Sequence, residues 1–200
     1  MVIHYLEAGT VALLMRASSL RTVLPRLAIL LALLCAPVLG AEDARQKMVK
    51  SAFLLNLAKM SQWPGVDENN KPLIMCLYQR DLLGDGYRLI RKKKVHGRAI
   101  KRLVIEDLTQ SSNCDLLYLS SEELRQFVDE SEQATRLPIL TVADMTSAPK
   151  SNQPIKGVHI MLVRREKRIG FAVNLQEAKD VGIGFSSELL KLSTIVGRES

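Results

Sequence analysis

Apolar residues near the start of the chain recur at helical spacing, and shorter apolar runs follow them. The first stripe consists of Met48, Ala52, Leu55 and Met60. This spacing predicts an amphipathic helix over residues 43–63, which Pro64 and the following glycine end. A polar loop comes next. The wholly apolar run LIMCLY at residues 73–78 then predicts a short strand that is buried on both faces.

Strand and helix patterns alternate through the middle of the chain. Strands are predicted at residues 103–105, 115–119 and 138–142, and helices at residues 81–93 and 121–132. Strands that alternate with helices at this spacing form βαβ units, in which the strands pair in parallel and the helices cover both faces of the sheet.

The last quarter of the chain has a different pattern. Strands are predicted at residues 158–163 and 169–173, and only a few polar residues separate them. This connection is too short for a crossover helix, so the two strands must pair as an antiparallel hairpin. Helical patterns follow at residues 174–180 and 186–196. The predicted fold is a three-layer α/β/α sandwich, with a mostly parallel sheet and an antiparallel hairpin at one edge.

The first forty residues have the pattern of a secretory signal peptide. Arg16, Arg21 and Arg26 precede an uncharged apolar run at residues 27–39, and small residues at Gly40 and after it suit a cleavage site. A membrane span needs about 20 apolar residues, so this run favours cleavage over a retained anchor, which is the alternative.

Cleavage near Gly40 fixes the expected domain organisation. We predict a signal peptide over residues 1–40, with Met15 as an alternative start, and a single α/β domain over residues 41–200 in the periplasm. The full chain has 28 Lys and Arg against 21 Asp and Glu, and removal of the leader leaves 25 against 20, a net charge of +5.

Excess positive charge raises the question of a nucleic-acid or anionic-membrane partner. Only the run Arg91–Lys94 clusters basic residues, and aromatic residues make up 4% of the chain. Proteins that bind single strands interleave basic residues with stacking aromatic residues, and this sequence does not. A solvated basic surface is the better interpretation, and no nucleic-acid partner is expected.

Sequence motifs for catalysis are missing. The chain has no G-x-S-x-G motif, no phosphate-binding P-loop and no G-x-G-x-x-G after a strand. His96 and His159 have no partners at metal-ligand spacing, so neither a metal nor another cofactor is expected. Asp144 follows a predicted strand, where it either caps a loop or faces a ligand. The sequence does not predict an enzyme.

The domain keeps two cysteines, Cys76 and Cys114. An even number of cysteines in an exported domain favours a disulfide, and two buried free thiols are the alternative. In the chain-entropy model such a bond stabilises the fold by roughly 3–4 kcal/mol. Whether the bond is structural or responds to redox conditions stays open at this point.

Several segments, taken in their order and spacing, resemble the YfiR family of small periplasmic proteins. They are FLLNLAK at residues 53–59 with Trp63-Pro64, the strand holding Cys76, Gly97-Arg98, CDLLY at residues 114–118, LTVAD at residues 140–144, RIGFAVNL at residues 168–175 and SSELLKL at residues 186–192. The resemblance covers nearly all of residues 44–196.

This resemblance implies a regulatory protein. Members of the family repress an inner-membrane diguanylate cyclase through its periplasmic domain, which limits cyclic-di-GMP and biofilm formation. An outer-membrane lipoprotein or a change of disulfide state releases the cyclase, and members tend to dimerise. The cysteine pair of the family falls on Cys76 and Cys114. Some members have a second pair, for which residues 146–157 of this chain hold no cysteine.

A periplasmic module that senses a small molecule without catalysis is the alternative function. Such a module would use the cleft at the C-terminal ends of the strands, near residues 79–81. The candidate binding residues are Asp144, Arg168 and Asn174. Asn174 and Ser186 also suit helix N-caps, which is the structural interpretation of both residues.

Overall fold

The computed structural model describes residues 38–65, 71–133, 137–148, 153–166 and 168–197. Residues 44–200 form one unit, and residues 1–43 form another, of which only the end is described. Most of the predicted signal peptide therefore lies outside the described residues, and its cleavage stays a prediction.

Helices and strands alternate through the domain. In chain order the elements are α1 (Val38–Lys59), β1 (Ser61–Gln62), β2 (Leu73–Tyr78), a 3-10 helix (Gly84–Gly86), α2 (Tyr87–Ile90), β3 (Lys94–Val95), β4 (Arg98–Ile105), a second 3-10 helix (Leu108–Asn113), β5 (Leu116–Ser120), α3 (Leu124–Gln133), β6 (Leu140–Asp144), β7 (Ile160–Arg165), β8 (Arg168–Asn174), α4 (Leu175–Asp180), β9 (Gly184–Phe185), α5 (Ser187–Leu192) and β10 (Thr194–Val196). Each predicted strand is present, with its ends shifted in most cases by a few residues.

Eight strands of the described ranges form one sheet in the order β10-β8-β7-β6-β5-β2-β4-β3. The pairs from β4 through β2, β5 and β6 to β7 are parallel, whereas β7 and β8 form the antiparallel hairpin. β10 pairs in parallel with β8, outside the hairpin, and β3 pairs antiparallel with β4 at the opposite edge. The predicted fold class is confirmed, and β10 extends the sheet by one strand.

Each face of the sheet has its own hydrophobic core. On one face, Met75 and Leu77 of β2 pack in the same cluster as Leu54 and Leu57 of α1. On the other face, the buried side chains pack against Phe127 of α3. Burial of one such side chain contributes about 1.5–3 kcal/mol, so the two cores give the three layers their stability.

The two ends of the domain meet beside the first core. β1, directly after α1, pairs antiparallel with β9, near the end of the chain. The backbone N–H of Ser186 also donates to the carbonyl oxygen of Met60 at 2.8 Å. Leu189 of α5 lies in the same core as Leu54 of α1. Secondary structure from both ends therefore completes one core.

The helix predicted at residues 81–93 is wrong in extent. Asp81 does accept hydrogen bonds from the backbone N–H groups of Leu83 and Gly84, but only a 3-10 turn and α2 follow. The chain then forms the hairpin of β3 and β4, whose turn residues His96 and Gly97 have φ of 47° and 79°. Positive φ at both positions is the geometry of a tight two-residue hairpin turn.

The first and last predicted helices also differ in extent. α1 ends at Lys59, because the next residues pair with β9 as a strand. The helix predicted at residues 186–196 is divided, and its last part is β10. The residues of β10, Thr194, Ile195 and Val196, are β-branched, which favours a strand where an unpaired edge of the sheet is within reach.

Candidate functional site

The C-terminal ends of the parallel strands carry a buried ion pair. Asp144, the last residue of β6, is 7% exposed. Its Oδ2 lies 2.7 Å from the Nζ atom of Lys50 on α1 and accepts a hydrogen bond from the Tyr118 hydroxyl at 2.9 Å. Its Oδ1 accepts from the backbone N–H and the hydroxyl of Thr146, at 3.0 and 2.6 Å. Asp144 therefore caps its loop and joins it to α1.

The charges in this cluster follow from its contacts. Burial alone would raise the pKa of Asp144, but hydrogen bonds from Lys50 and Thr146 and the charge of Lys50 hold that pKa below its usual range. Burial and the neighbouring Asp144 carboxylate raise the pKa of Tyr118 well above its usual range. At neutral pH Asp144 is therefore ionised and Tyr118 is a neutral hydrogen-bond donor.

Further ion pairs lie beside this cluster, in the predicted ligand cleft. Arg80, just after β2, has its Nε atom 2.8 Å from the buried carboxylate of Glu123 and also binds Glu122. Asp81 pairs with Arg102 of β4 at 2.6 Å. The charged side chains at this end of the strands therefore pair with other side chains of the protein.

Cys76 and Cys114 form a disulfide, as the sequence predicts. Cys76 is in the middle of β2 and fully buried, whereas Cys114 lies two residues before β5 and is 7% exposed. Their Cα atoms are 5.8 Å apart. The bond connects β2 to the segment that leads into the neighbouring strand β5, and a reductant would reach it from the side of Cys114.

A cavity of about 510 Å³ lies at the opposite, N-terminal ends of the strands, and Cys114 is in its wall. Trp63 lines it and donates its indole N–H to the backbone oxygen of Asp115 at 2.8 Å. The Arg98 guanidinium lies 2.7 Å from the Asp115 carboxylate and also donates to the carbonyl oxygens of Lys71 and Pro72. Sequence reasoning missed this cavity, although Trp63-Pro64 and Gly97-Arg98 are among the segments that carry the resemblance.

A smaller cavity, of about 80 Å³, lies beside α3 and includes buried His159 in its wall. The Nδ1 atom of His159 accepts a hydrogen bond from the backbone N–H of Thr141 at 2.9 Å. Burial lowers the pKa of His159 to about 4, so the ring is neutral at pH 7. No cluster of three or more His, Cys, Asp or Glu side chains that could hold a metal occurs in the ranges that the structure describes.

The three predicted binding residues do not form one site. Asn174 ends β8 and caps α4, where its Oδ1 accepts from the backbone N–H of Glu177 at 3.4 Å. Arg168 is exposed at the other end of β8, opposite Arg165 of β7. Asp144 is held by the contacts described above. Ligand binding by Asp144, Arg168 or Asn174 stays a prediction.

Within the described part of the chain, none of the helices is both long and apolar enough to cross a membrane. Residues 47–194 match the protein family described as YfiR/HmsC-like. The match begins within α1 and ends at the first residue of β10, so it includes the disulfide, both cavities and most of the sheet. Among curated proteins, none matches the sequence significantly. The chain therefore belongs to the YfiR/HmsC-like family.

Proposed function

We propose that this protein represses an inner-membrane diguanylate cyclase by binding the periplasmic domain of the cyclase, and so limits cyclic-di-GMP signalling and biofilm formation. Membership of the YfiR/HmsC-like family over residues 47–194 is the observation that carries the proposal. The proposal includes export with cleavage near Gly40, a homodimer, and release of the cyclase by an outer-membrane lipoprotein or by a change of disulfide state.

The contacts at the C-terminal ends of the strands support binding rather than catalysis. Asp144, Arg80 and Asp81 each form an ion pair with another side chain of the protein. A general acid or base must be within hydrogen-bond reach of a substrate, and each of these groups is already bound to another side chain of the protein. Control of a partner through surface contact requires no such group.

The disulfide supports a redox-dependent form of this control. Cys114 lies between the second 3-10 helix and β5, and its bond to β2 fixes the position of that segment. Reduction removes this covalent constraint next to the large cavity that Cys114 lines. A partner that contacts this side of the domain would then bind the oxidised and reduced forms with different affinities.

The test is a binding measurement. The protein, purified after export, is titrated with the purified periplasmic domain of a diguanylate cyclase encoded in the same genome. We expect saturable binding and lower cyclase activity in membranes. Failure to bind any such domain would contradict the proposal. A Cys76→Ala/Cys114→Ala variant that stays folded tests the redox part, because equal affinity with and without the bond would make the disulfide purely structural.

The cavity at the N-terminal ends of the strands supports a second candidate function, sensing of a small molecule. Its volume of about 510 Å³ is within the usual range for ligand sites, and it combines the Trp63 ring with the Arg98 guanidinium. A ligand that binds only the folded protein raises its melting temperature. A thermal-shift screen of periplasmic metabolites tests this function, and a Trp63→Ala variant should lose the response.

A further inference from the structure

The outer edge of β4 is open over its second half, after Ile100, whose backbone oxygen accepts a hydrogen bond from the Tyr87 hydroxyl at 3.1 Å. β3 pairs only with Arg98 and Ala99, at the start of β4, and no other strand of the described ranges pairs with β4 on that side. The hydrogen bond from Gln79 N–H to the oxygen of Ile105 shows that Ile105 faces β2. Because alternate residues direct their backbone groups to opposite edges of a strand, Arg102 and Val104 direct theirs outwards.

The side chains of this edge are both apolar and basic. Leu103 and Val104 are 43% and 42% exposed, and as neighbours in a strand they lie on opposite faces of it. From Gly86 to Ile105 the sequence has eight Lys and Arg and no Asp or Glu. Five of these eight are exposed and form no ion pair with a residue of the described ranges; they are Arg91, Lys92, Lys93, Lys94 and Lys101. We call β4 from Lys101 to Ile105, together with these five residues, the basic edge.

We propose that the basic edge is a docking site for an acidic, extended segment of a partner protein, which adds to the sheet as a further strand. Exposed sheet edges accept strands in this way, with backbone hydrogen bonds supplying affinity and side chains supplying selectivity. The open backbone groups of Arg102 and Val104 supply the bonds, and Leu103 and Val104 supply the apolar contact.

Charge decides which occupant fits. Lysine on an edge strand opposes pairing with a second copy of the same edge, because like charges would then face each other. The same lysines attract a segment rich in Asp and Glu. A nucleic acid or an anionic membrane would satisfy the charge, but neither offers backbone groups that pair with a strand. The proposal stands on this edge alone and holds whether or not the partner is a cyclase.

The test uses the protein as purified after export, isotopically labelled, and an eight-residue peptide of alternating Val and Glu that matches β4 in length. Amide NMR shifts on titration report the site and the affinity. We expect saturable shifts in β3 and β4. The same peptide with N-methylated backbone nitrogens keeps its charge but cannot donate hydrogen bonds, and it should bind at least about tenfold more weakly. Equal binding of the two peptides, shifts located elsewhere or no shifts would overturn the proposal.

Variants separate the backbone contribution from the charge contribution. Val104→Pro removes an outward N–H that the sheet does not use, so the fold should tolerate it while peptide affinity falls at least about tenfold. Val104→Thr keeps the N–H and should bind nearly as the parent does. If Val104→Pro does not fold, the comparison of the two peptides on the parent protein decides the matter.

Neutralisation tests the selectivity for acidic segments. The triple variant Lys92→Gln/Lys93→Gln/Lys101→Gln should lose at least about threefold in affinity. A control with the same net charge, Arg125→Gln/Lys179→Gln/Lys191→Gln, changes exposed residues elsewhere and should bind as the parent does. If both triple variants lost the same peptide affinity, the loss would depend on overall net charge and not on the basic edge, which would contradict the selectivity. If single-stranded DNA or phosphatidylglycerol vesicles bind the basic edge and the peptide does not, the proposal is overturned and the edge is a site for a nucleic acid or a membrane.

Discussion

Replacement of Lys50 by methionine removes the cation that faces buried Asp144. The Nζ and Oδ2 atoms are 2.7 Å apart, and at an effective dielectric constant of about 20 their direct attraction is about 6 kcal/mol. The hydrogen bonds from Tyr118 and Thr146 remain in the variant and offset part of the loss. Removal of one partner of a buried pair costs about 3–5 kcal/mol, and we expect a loss of free energy of unfolding in that range at pH 7.

The size of the loss should depend on pH. In the parent protein the pKa of Asp144 is below its usual range, so the pair stabilises the fold at neutral pH and this contribution disappears as the pH falls through that depressed pKa. Without Lys50 the pKa of Asp144 is expected to rise, because burial then acts with less opposition. The difference between parent and variant should therefore shrink at about pH 3, below the ordinary aspartate pKa of about 3.9.

Urea denaturation followed by the fluorescence of Trp63, the chain's single tryptophan, measures this difference. For a domain of this size the expected loss corresponds to a melting temperature lower by about 6–20 °C. Lys59→Met, at an exposed position of the same helix, is the matched control and should cost less than about 1 kcal/mol. A Lys50→Met loss no larger than that of the control, or one that is the same at both pH values, would refute the reasoning.

Three further predictions concern the disulfide, a close backbone contact and a buried histidine. The Cys76→Ala/Cys114→Ala variant should lose about 4 kcal/mol of unfolding free energy, because the bond closes a loop of 38 residues; an unchanged urea midpoint would contradict this. Gly86→Ala should lower the free energy of unfolding by about 1–3 kcal/mol, since the added Cβ would lie 2.5 Å from the carbonyl oxygen of Lys47 in α1. An unchanged melting temperature in calorimetry would contradict this. Stability should fall by about 3 kcal/mol as the pH is lowered from 6.5 to about 4, because the unfolded chain binds a proton at His159 before the folded protein does. His159→Asn should flatten this part of the pH profile, and identical profiles of parent and variant would exclude His159 as the cause.

Local patterns were sufficient to predict the central strands. The run at residues 73–78 is apolar throughout, so burial on both faces is the only arrangement that keeps every side chain from water, and β2 has these bounds. The hairpin of β7 and β8 followed from the length of its connection alone. Asn174 and Ser186 were also identified correctly as helix N-caps, because capping depends on the residue type and its immediate neighbours.

Features that depend on distant contacts were not predicted. The segment Thr194–Val196 was predicted as the end of the helix that precedes it, and it forms β10 because β8 offers an edge. In the same way, the pattern at Asp144 indicated a loop cap or a ligand site. The ion pair of Asp144 could not be predicted, because its partner Lys50 lies ninety-four positions earlier, in α1. The cavity beside Cys114 arises between five segments of the chain, and no single segment carries a signal for it.

The pairing of β1 with β9 has a consequence for how the domain is made. The two strands belong to opposite ends of the domain, and α1 shares its core with Leu189 of α5. During synthesis the N-terminal helix emerges first, and its last partners emerge near the end. Contacts between such distant residues slow folding, because the chain must close a long loop before they form. A chain that ends before residue 184 would leave part of the apolar face of α1 uncovered, so we expect C-terminal truncations to aggregate or be degraded rather than to retain partial function.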